Sequence, residues 1–263
     1  MSLTITTWNV NSVRLRLEGL ARLAKECAPD VICLQEIKVA NELFPGEAIA
    51  EIGYPHQAIH GQAGYHGVAV LSKKPIEKAE PMHWCAKDDC RHLRVRIDGI
   101  DLHNFYIPAG GDIPDREANE KFGHKLDFLA ELTGWFGKGA ASAGSAVLVG
   151  DLNIAPLETD VWSHKQLLKV VSHTPIEVEG LNGLQASAGW VDAVRKIIPP
   201  EERLYSWWSY RARDWSASDR GRRLDHIWVT PDLAPRIRTA CVLRAARGWD
   251  QPSDHAPVTA TID

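Results

Sequence analysis

The chain is poor in cysteine, and the spacing of its cysteines excludes two common kinds of site. The five cysteines among 263 residues are odd in number and form no CxxC motif. A disulfide framework and a zinc ribbon are therefore both excluded. Reduced structural thiols fit better, and Cys33, inside the apolar run 31–34, is predicted to lie in the core.

Long apolar runs are also missing. No window approaches the roughly 18 consecutive apolar residues of a membrane span, and the first residues carry neither a basic nor an apolar leader region. These features predict a soluble, cytoplasmic protein with no membrane partner. The sequence contains neither GxGxxG nor a P-loop, which argues against dinucleotide-binding and Walker-type sites.

Charge of one sign is not in large excess, but it is unevenly distributed. The net charge is −4, whereas residues 195–247 hold 12 Lys and Arg against 6 Asp and Glu. A solvated basic face is the ordinary explanation of such a segment. Here tryptophans and tyrosines alternate with arginines over residues 205–215, and this combination favours a surface that holds phosphates and stacks on an unpaired or displaced nucleotide.

Short β-branched runs and two helical segments indicate the fold class. One helix is expected from Val13 to Ala24, with Ser12 as its N-cap and Pro29 beyond its end, and a second over about 115–136. A Gly- and Ala-rich loop is expected at 137–144. Strands are predicted at 3–8, 31–34, 67–71, 93–97, 101–107, 146–149, 224–229, 237–243 and 256–262. Without strict βαβ alternation, this order predicts a layered α/β sandwich in one domain over residues 1–263.

Polar side chains follow several of these apolar runs, where a strand reaches the surface. Glu36 follows an apolar run and Gln35, and with Asn11 it offers oxygen ligands that suit Mg²⁺. Asp151 and Asn153 flank Leu152, so in an extended segment both side chains face the same way. Such a pair can take a proton from water and hold the water in line. A surface glutamate and a turn-forming Asp-x-Asn are the ordinary alternatives.

The segment Ser253-Asp254-His255 opens the last predicted strand and adds an imidazole. Asp225 or Asp254 beside His255 would favour the imidazolium, which neutralises a phosphoryl oxygen. Tyr106 ends another strand and can bring a phenol to the same edge, although strand tyrosines are often packing residues. Which carboxylate contacts His255 stays open at this point.

Together these segments resemble the exonuclease III family of the endonuclease/exonuclease/phosphatase superfamily, over essentially the whole chain. The motifs that carry the resemblance are Trp8-Asn9-Val10-Asn11, Leu34-Gln35-Glu36-Ile37-Lys38, Gly64 to Val70, Gly150-Asp151-Leu152-Asn153, Ser206-Trp207-Trp208, Arg220 to Asp225 and Ser253-Asp254-His255-Ala256-Pro257. The resemblance implies a four-layer α/β sandwich in which two packed mixed sheets are flanked by helices. It also implies hydrolysis of a DNA phosphodiester with Mg²⁺, or Mn²⁺ as a substitute.

The resemblance also implies a role for each matching residue. The implied metal side comprises Glu36 as main ligand with Asn11, Asp151, Asn153 and Asp254. The implied catalytic groups are Asp151 and Asn153, which activate and orient water, and the pair Asp225 and His255, which faces the phosphate. Tyr106 is implied to help hold the phosphate and the other catalytic groups. The residues implied to contact phosphate and DNA are Asn9, Lys38, Trp207, Trp208, Arg211, Arg220 and Arg222. The expected partner of the monomer is double-stranded DNA with abasic sites or blocked 3′ ends.

The sequence departs from the family pattern at three places near the expected DNA surface. Residues 107–111 read Ile-Pro-Ala-Gly-Gly, where Pro followed by Gln or Asn and one Gly is usual. Ser209 replaces an aspartate, and Arg222 replaces an apolar residue or tryptophan. Two other functions stay open: the same fold acting on a phospholipid, inositol phosphate or nucleotide, and a DNA-binding module without turnover.

Overall fold

The computed structural model describes residues 2–140 and 144–263. In these residues the strands, numbered along the chain, form two six-stranded sheets and a two-stranded ribbon. The first sheet contains β1 (Leu3–Asn9), β2 (Val31–Gln35), β3 (His56–His60), β4 (Val68–Ser72), β13 (Ile237–Val242) and β14 (Val258–Ile262). The second contains β5 (Lys78–Trp84), β6 (Lys87–Ile97), β7 (Ile100–Tyr106), β8 (Ala146–Asp151), β9 (Val191–Asp192) and β12 (Asp225–Val229). The ribbon pairs β10 (Trp207–Trp208) with β11 (Gly221–Arg222).

Helices pack on the outer face of each sheet. The α-helices are α1 (Leu17–Glu26), α2 (Gly46–Glu51), α3 (Glu120–Trp135), α4 (His164–Leu167), α5 (Pro175–Ser187), α6 (Ala193–Ile197) and α7 (Trp215–Ser218). Short 3-10 turns lie at Arg14–Arg16, Asn41–Leu43, Glu158–Asp160, Ala234–Arg236 and Arg244–Gly248. Across the part of the chain that the structure describes, every helix is too short or too polar to cross a membrane.

Side-chain alternation along the strands divides the apolar residues among three layers of core. In β2, Val31 and Cys33 face the space between the sheets, while Ile32 and Leu34 face α1 and α2. In β8, Val147 and Val149 enter the same space between the sheets, and Leu148 packs with α3 and α5. The order of layers is therefore helix, sheet, sheet, helix. This confirms the predicted four-layer α/β sandwich and the core position of Cys33.

The first predicted helix begins later than expected, because Ser12 is not its cap. The backbone of Ser12 has a φ of 86°, and its N–H donates to the Glu36 carbonyl at 2.7 Å. A 3-10 turn separates Ser12 from α1, which begins at Leu17. Ser12 therefore joins two chain segments at the sheet edge instead of starting a helix.

The second predicted helix also begins later, at Glu120. Asn119 is its N-cap and accepts a hydrogen bond from the backbone N–H of Lys121. Helix α3 continues into a π-helical turn at Phe136–Ala140, where a loop is expected. Residues 141–143 of the expected loop lie outside the described residues. The predicted elements also omitted β3, β5, the ribbon, and helices such as α2 and α5.

The ends of six strands meet at one edge of the two sheets. Strands β1 and β2 are parallel, with Asn9 opposite Gln35, and β7 and β8 are parallel, with Tyr106 opposite Asp151. Strand β12 is antiparallel to β8, so its first residue, Asp225, also lies opposite Asp151. Residues that precede β14 reach the same edge because β14 is antiparallel to β1. The fold therefore collects the predicted site residues from both sheets.

A glycine allows two of these strands to approach each other. A Cβ at Gly150 would lie 1.9 Å from the carbonyl oxygen of Phe105, and the φ of Gly150 is +141°. No other residue fits at this position without separating β7 from β8. The close approach sets the distance between Tyr106 and Asp151.

Two histidines are buried in the second sheet, away from this edge. The rings of His92 and His103 stack with centroids 5.3 Å apart, and His92 Nε2 lies 3.1 Å from His103 Nδ1. Burial, assisted by the charge of Arg94, lowers the pKa of His103 to about 3. His103 is therefore neutral in the folded protein at any pH near neutrality.

We expect the free energy of unfolding to fall as the pH drops below 6.5, the ordinary pKa of histidine. The unfolded chain then binds a proton that folded His103 does not accept until about pH 3. By about pH 5 the loss from one such histidine is about 2 kcal/mol. Urea denaturation at pH 7 and pH 5 measures it, and His103→Phe should show a smaller difference. An equal pH dependence in both proteins would contradict the expectation.

Candidate active site

Glu36 occupies the middle of the site and receives three hydrogen bonds. Its Oε1 accepts from Asn9 Nδ2 at 2.8 Å and from the Tyr106 hydroxyl at 2.9 Å. Its Oε2 lies 2.8 Å from the ammonium of Lys38. Burial acts to raise the pKa of Glu36, but the hydrogen bonds from Asn9 and Lys38 and the charge of Lys38 outweigh it and lower the pKa. Glu36 is therefore an ionised carboxylate.

Asp151 is buried and shares the amide of Asn9 with Glu36. Asn9 Nδ2 donates to Asp151 Oδ2 at 2.9 Å, and the backbone N–H of Asn153 donates to Asp151 Oδ1 at 3.0 Å. Burial raises the pKa of Asp151 to about 7, with the Asp225 charge adding to this effect and His255 opposing it. The Asn153 side chain donates to the carbonyl of Ile107 at 2.9 Å and lines the same cleft as Asp151. A proton acceptor and an amide thus stand side by side.

His255 contacts Asp225 and faces Asp151, which answers the question that the sequence left open. His255 Nδ1 lies 2.8 Å from Asp225 Oδ2, and His255 Nε2 lies 3.7 Å from Asp151 Oδ2. Burial disfavours a charged ring, but the carboxylates of Asp225 and Asp151 outweigh it and raise the pKa of His255 to about 10. At neutral pH the imidazolium is therefore a buried cation between two carboxylates.

Asp254 lies at the rim, where it holds other site residues in place. Its Oδ1 accepts from Asn11 Nδ2 at 3.1 Å, and its Oδ2 accepts from Trp207 Nε1 at 2.9 Å. Asn11 in turn accepts from Lys38 through its Oδ1 at 2.6 Å. Asp254 is therefore connected to Glu36 through Asn11 and Lys38.

Several site residues have left-handed backbone conformations that non-glycine residues rarely adopt. The φ angles are 46° for Asn11, 49° for Glu36, 53° for Lys38 and 55° for Asn153. Each such residue costs of order 1–3 kcal/mol, which the surrounding structure offsets. Such conformations also occur elsewhere in the described residues, for example at Ala28 and Asp98, so the strain does not by itself single out the site.

A cleft of about 540 Å³ is lined by Glu36, Asp151, Asn153, Asp254 and His255. Aromatic and cationic side chains form another part of its lining. Trp207 lines the cleft together with three arginines, Arg211, Arg220 and Arg222. Trp208 does not: it is 1% exposed, and its Nε1 donates to Asp219. The prediction that Trp208 contacts DNA is therefore wrong, because a buried side chain presents no surface to DNA.

Sequence reasoning missed several residues that hold the site together. Ser206 donates to Asp225 Oδ2 at 2.6 Å, and Ser253 donates to the carbonyl of Asn9 at 2.7 Å. Both serines lie inside motifs that had been noticed for their neighbours. Lys125 and Glu177 form a fully buried ion pair behind the cleft, and only the Thr174 to Glu177 capping-box spacing hints at it in the sequence.

The oxygen atoms of the site suit a hard divalent cation. Glu36 Oε2 and Asn11 Oδ1 already converge on one positive charge, the ammonium of Lys38. Asp225 Oδ1 is buried and has no hydrogen-bond partner among the described residues. Asp151, Asp225 and His255 place one ligand atom each within 4.8 Å of one another, but the bond to Asp225 already occupies one nitrogen of His255. Carboxylate and amide oxygens are what such a cation prefers.

The model of the endonuclease/exonuclease/phosphatase family matches residues 6–255, and the chain belongs to this family. The chain is 34% identical to exodeoxyribonuclease III of Haemophilus influenzae, over 97% of each chain. Its fold superimposes with a TM-score of 0.92 on an AP endonuclease of Archaeoglobus fulgidus, at 35% identity and 99% coverage of both. It superimposes with a TM-score of 0.91 on a 3′ phosphatase of Neisseria bound to a product DNA hairpin, at 30% identity and 99% coverage. These findings confirm the predicted family and its hydrolase class.

Proposed function

We propose that the chain is a Mg²⁺-dependent DNA repair phosphodiesterase that cleaves 5′ to abasic sites. On this proposal it also has 3′→5′ exonuclease and 3′-phosphatase or 3′-diesterase activity, and it acts as a cytoplasmic monomer with one domain over residues 1–263. Its partner is double-stranded DNA with abasic sites or blocked 3′ ends. The observation that carries the proposal is the His255 imidazolium, held by Asp225 and placed 3.7 Å from Asp151.

The arrangement provides for each step of phosphodiester hydrolysis. Asp151 takes the proton from water, and Asn153 beside it orients the water toward phosphorus. His255 neutralises charge that develops on a phosphoryl oxygen, and Asp225 keeps the imidazole protonated and in place. Mg²⁺, when bound by Glu36 with help from Asn11, supplies further charge neutralisation at the phosphate. The Asn9 and Tyr106 hydrogen bonds keep Glu36 aligned throughout.

The cleft wall and the names of the relatives favour DNA as the substrate. Arg220, Arg222 and Trp207 offer cations and an aromatic face beside the catalytic groups. Relatives of this chain are named exodeoxyribonuclease III, AP endonuclease and 3′ phosphatase, and one of them was solved with a DNA product. The direct test is a labelled duplex with one tetrahydrofuran abasic analogue, incubated with Mg²⁺ or with EDTA.

Incision that depends on Mg²⁺ should leave a 3′-hydroxyl and a 5′ deoxyribose phosphate. The absence of incision at every Mg²⁺ concentration would overturn the proposal. If the enzyme instead hydrolysed an inositol phosphate or a free nucleotide and did not cleave the duplex, its substrate would not be DNA. Tight binding of abasic DNA without turnover in any divalent metal would indicate a binding module.

Replacing Glu36 by Gln should raise the Mg²⁺ concentration needed for half-maximal incision by at least about 10-fold. The variant keeps the size of the side chain but removes the charge that attracts the cation. Incision rates across a Mg²⁺ series measure the effect, and the same series in Mn²⁺ should show partial recovery. Glu42→Gln, an exposed glutamate nearby, is the matched control. An unchanged Mg²⁺ requirement in Glu36→Gln would rule out Glu36 as a ligand.

A further inference from the structure

Arg222 is a cation inside the catalytic cleft without a carboxylate partner. Its Nη1 donates to the carbonyl of Val171 at 2.9 Å and to Ser172 Oγ at 2.7 Å. Its Nε is buried and has no hydrogen-bond partner among the described residues. The guanidinium lies over the ring of Trp207, 5.2 Å from its centroid. Two neutral oxygens and an aromatic face therefore fix the group, and the one carboxylate whose charge acts on it, Glu177, is already paired with Lys125.

The neighbouring Arg223 shows what a purely structural arginine looks like in this protein. Arg223 is 1% exposed and forms ion pairs with Asp160 and Asp192. None of the ion pairs in residues 2–140 and 144–263 includes Arg222, although burial lowers its pKa and thus disfavours its charge. Holding an unmatched cation in a cleft is costly unless a ligand anion meets it.

The position of Arg222 places that anion next to the reacting phosphate. Arg222 lies opposite Trp207 in the ribbon, and the backbone of Trp207 forms a β-bridge with His255. Trp207 Nε1 also donates to Asp254. The backbone of Arg222 is thus one strand away from that of His255, and Arg222 lines the same cleft as Glu36, Asp151 and His255.

Terminal and internal phosphates differ in what they present to this wall. An internal phosphodiester carries one negative charge, and a second sugar follows its phosphorus. A terminal phosphomonoester has no following sugar, presents an extra oxygen there and carries close to two charges at neutral pH. The guanidinium charge and its remaining N–H donors can meet that extra oxygen, whereas they give a neutral sugar no comparable contact.

The structure assigns Arg222, with Ser172 and Trp207, to a subsite for a terminal phosphate, so that this enzyme prefers 3′-phosphate DNA ends to internal abasic sites. The inference rests on the proposed function and adds a substrate ranking to it. In the reaction, a water oxygen forms a bond to phosphorus while the bond between phosphorus and the 3′ oxygen breaks. The 3′ oxygen takes up one proton and inorganic phosphate leaves.

The test compares kcat/KM on a 3′-phosphate duplex, an abasic duplex and a recessed 3′-hydroxyl duplex. The wild type should favour the 3′-phosphate. Arg222→Met should lose about 10–100-fold on the 3′-phosphate, the cost of one charge-assisted hydrogen bond or slightly more, and a clearly smaller factor on the abasic duplex, so that the ratio of the two kcat/KM values shifts toward the abasic duplex. Arg222→Lys should fall between the wild type and Arg222→Met because it keeps the charge but not the planar guanidinium. Arg203→Met, an exposed arginine of the same basic segment, is the matched control.

Inorganic phosphate provides a second measurement that does not depend on turnover. Titration calorimetry should detect phosphate binding to the wild type. The Kd for phosphate should rise in Arg222→Met by the same factor by which kcat/KM on the 3′-phosphate duplex falls, and it should rise less in Arg222→Lys. A uniform loss on all three duplexes, or a wild type that favours the abasic duplex, would overturn the subsite while leaving the nuclease function intact. If the wild type were inactive on all three duplexes, the proposed function would be wrong. If phosphate also bound equally well to the wild type and to Arg222→Met, the assignment of Arg222 to a phosphate subsite would be wrong as well.

Discussion

Replacing Asp151 by Asn should lower kcat/KM for incision of an abasic duplex by about 10²–10⁴-fold, the contribution of a general base. The amide has almost the same shape as the carboxylate, but its single oxygen can keep only one of the two hydrogen bonds that Asp151 accepts, from Asn9 Nδ2 at Oδ2 and from the Asn153 N–H at Oδ1. It cannot take a proton from water, and it no longer faces His255 with a negative charge. Single-turnover incision at saturating Mg²⁺ isolates the chemical step.

Asp250→Asn is the matched control for this experiment, because Asp250 is exposed and lies outside the cleft. Thermal melting of both variants separates a loss of chemistry from a loss of fold. The melting temperature of Asp151→Asn should lie within a few degrees of the wild-type value, since burial already disfavours the charge of the Asp151 carboxylate. Undiminished incision by a folded Asp151→Asn would remove Asp151 from the mechanism.

Replacing Lys125 by Met should lower the free energy of unfolding by about 3–5 kcal/mol, because it leaves the charge of Glu177 buried and unpaired. Lys125 and Glu177 are both 0% exposed in their side chains. The Lys125 ammonium also donates to the carbonyl of Asn153 at 2.9 Å and to that of Ala109 at 3.3 Å. Its loss therefore releases the backbone of Asn153, which we propose orients the water, and that of Ala109, which lines the cleft.

Urea denaturation measures this loss, with Lys121→Met as the control on the exposed face of the same helix. The double variant Lys125→Met with Glu177→Gln should recover part of the stability, because it removes the unpaired charge and keeps an acceptor for Ser172 and Thr174. Equal unfolding free energies for Lys125→Met and Lys121→Met would show that the buried pair contributes nothing. Incision by Lys125→Met should also slow, since Asn153 loses its anchor.

Local patterns in the sequence were sufficient to predict the strands that carry the site. The functional side chains stand at the ends of strands: Glu36 and Asp151 lie at the ends of β2 and β8, whereas His255 precedes β14. Alternation along such strands decides which side chains face a core, so burial of Cys33 followed from position alone. The layered architecture followed from the order of strands and helices.

Other features were beyond reach because they depend on contacts between distant segments. Asp225 and His255 are 30 residues apart and belong to different sheets, so no local spacing shows that they touch. Lys125 and Glu177 are 52 residues apart. The ribbon strands β10 and β11 have two residues each, too few for any periodicity to appear. Trp208 illustrates the result, since an aromatic in a basic segment can equally well be core.

The site draws its residues from both sheets, and this has a mechanical consequence. Asn9, Glu36 and His255 move with the first sheet, whereas Tyr106, Asp151 and Asp225 move with the second. Two hydrogen bonds connect these two sets of residues: one from Asn9 to Asp151 and one between Asp225 and His255. A displacement of about 1 Å at reacting groups can cost roughly 10²-fold in rate. If one sheet slides on the other, these distances change, so we expect activity to be lost under milder conditions than those that unfold the chain.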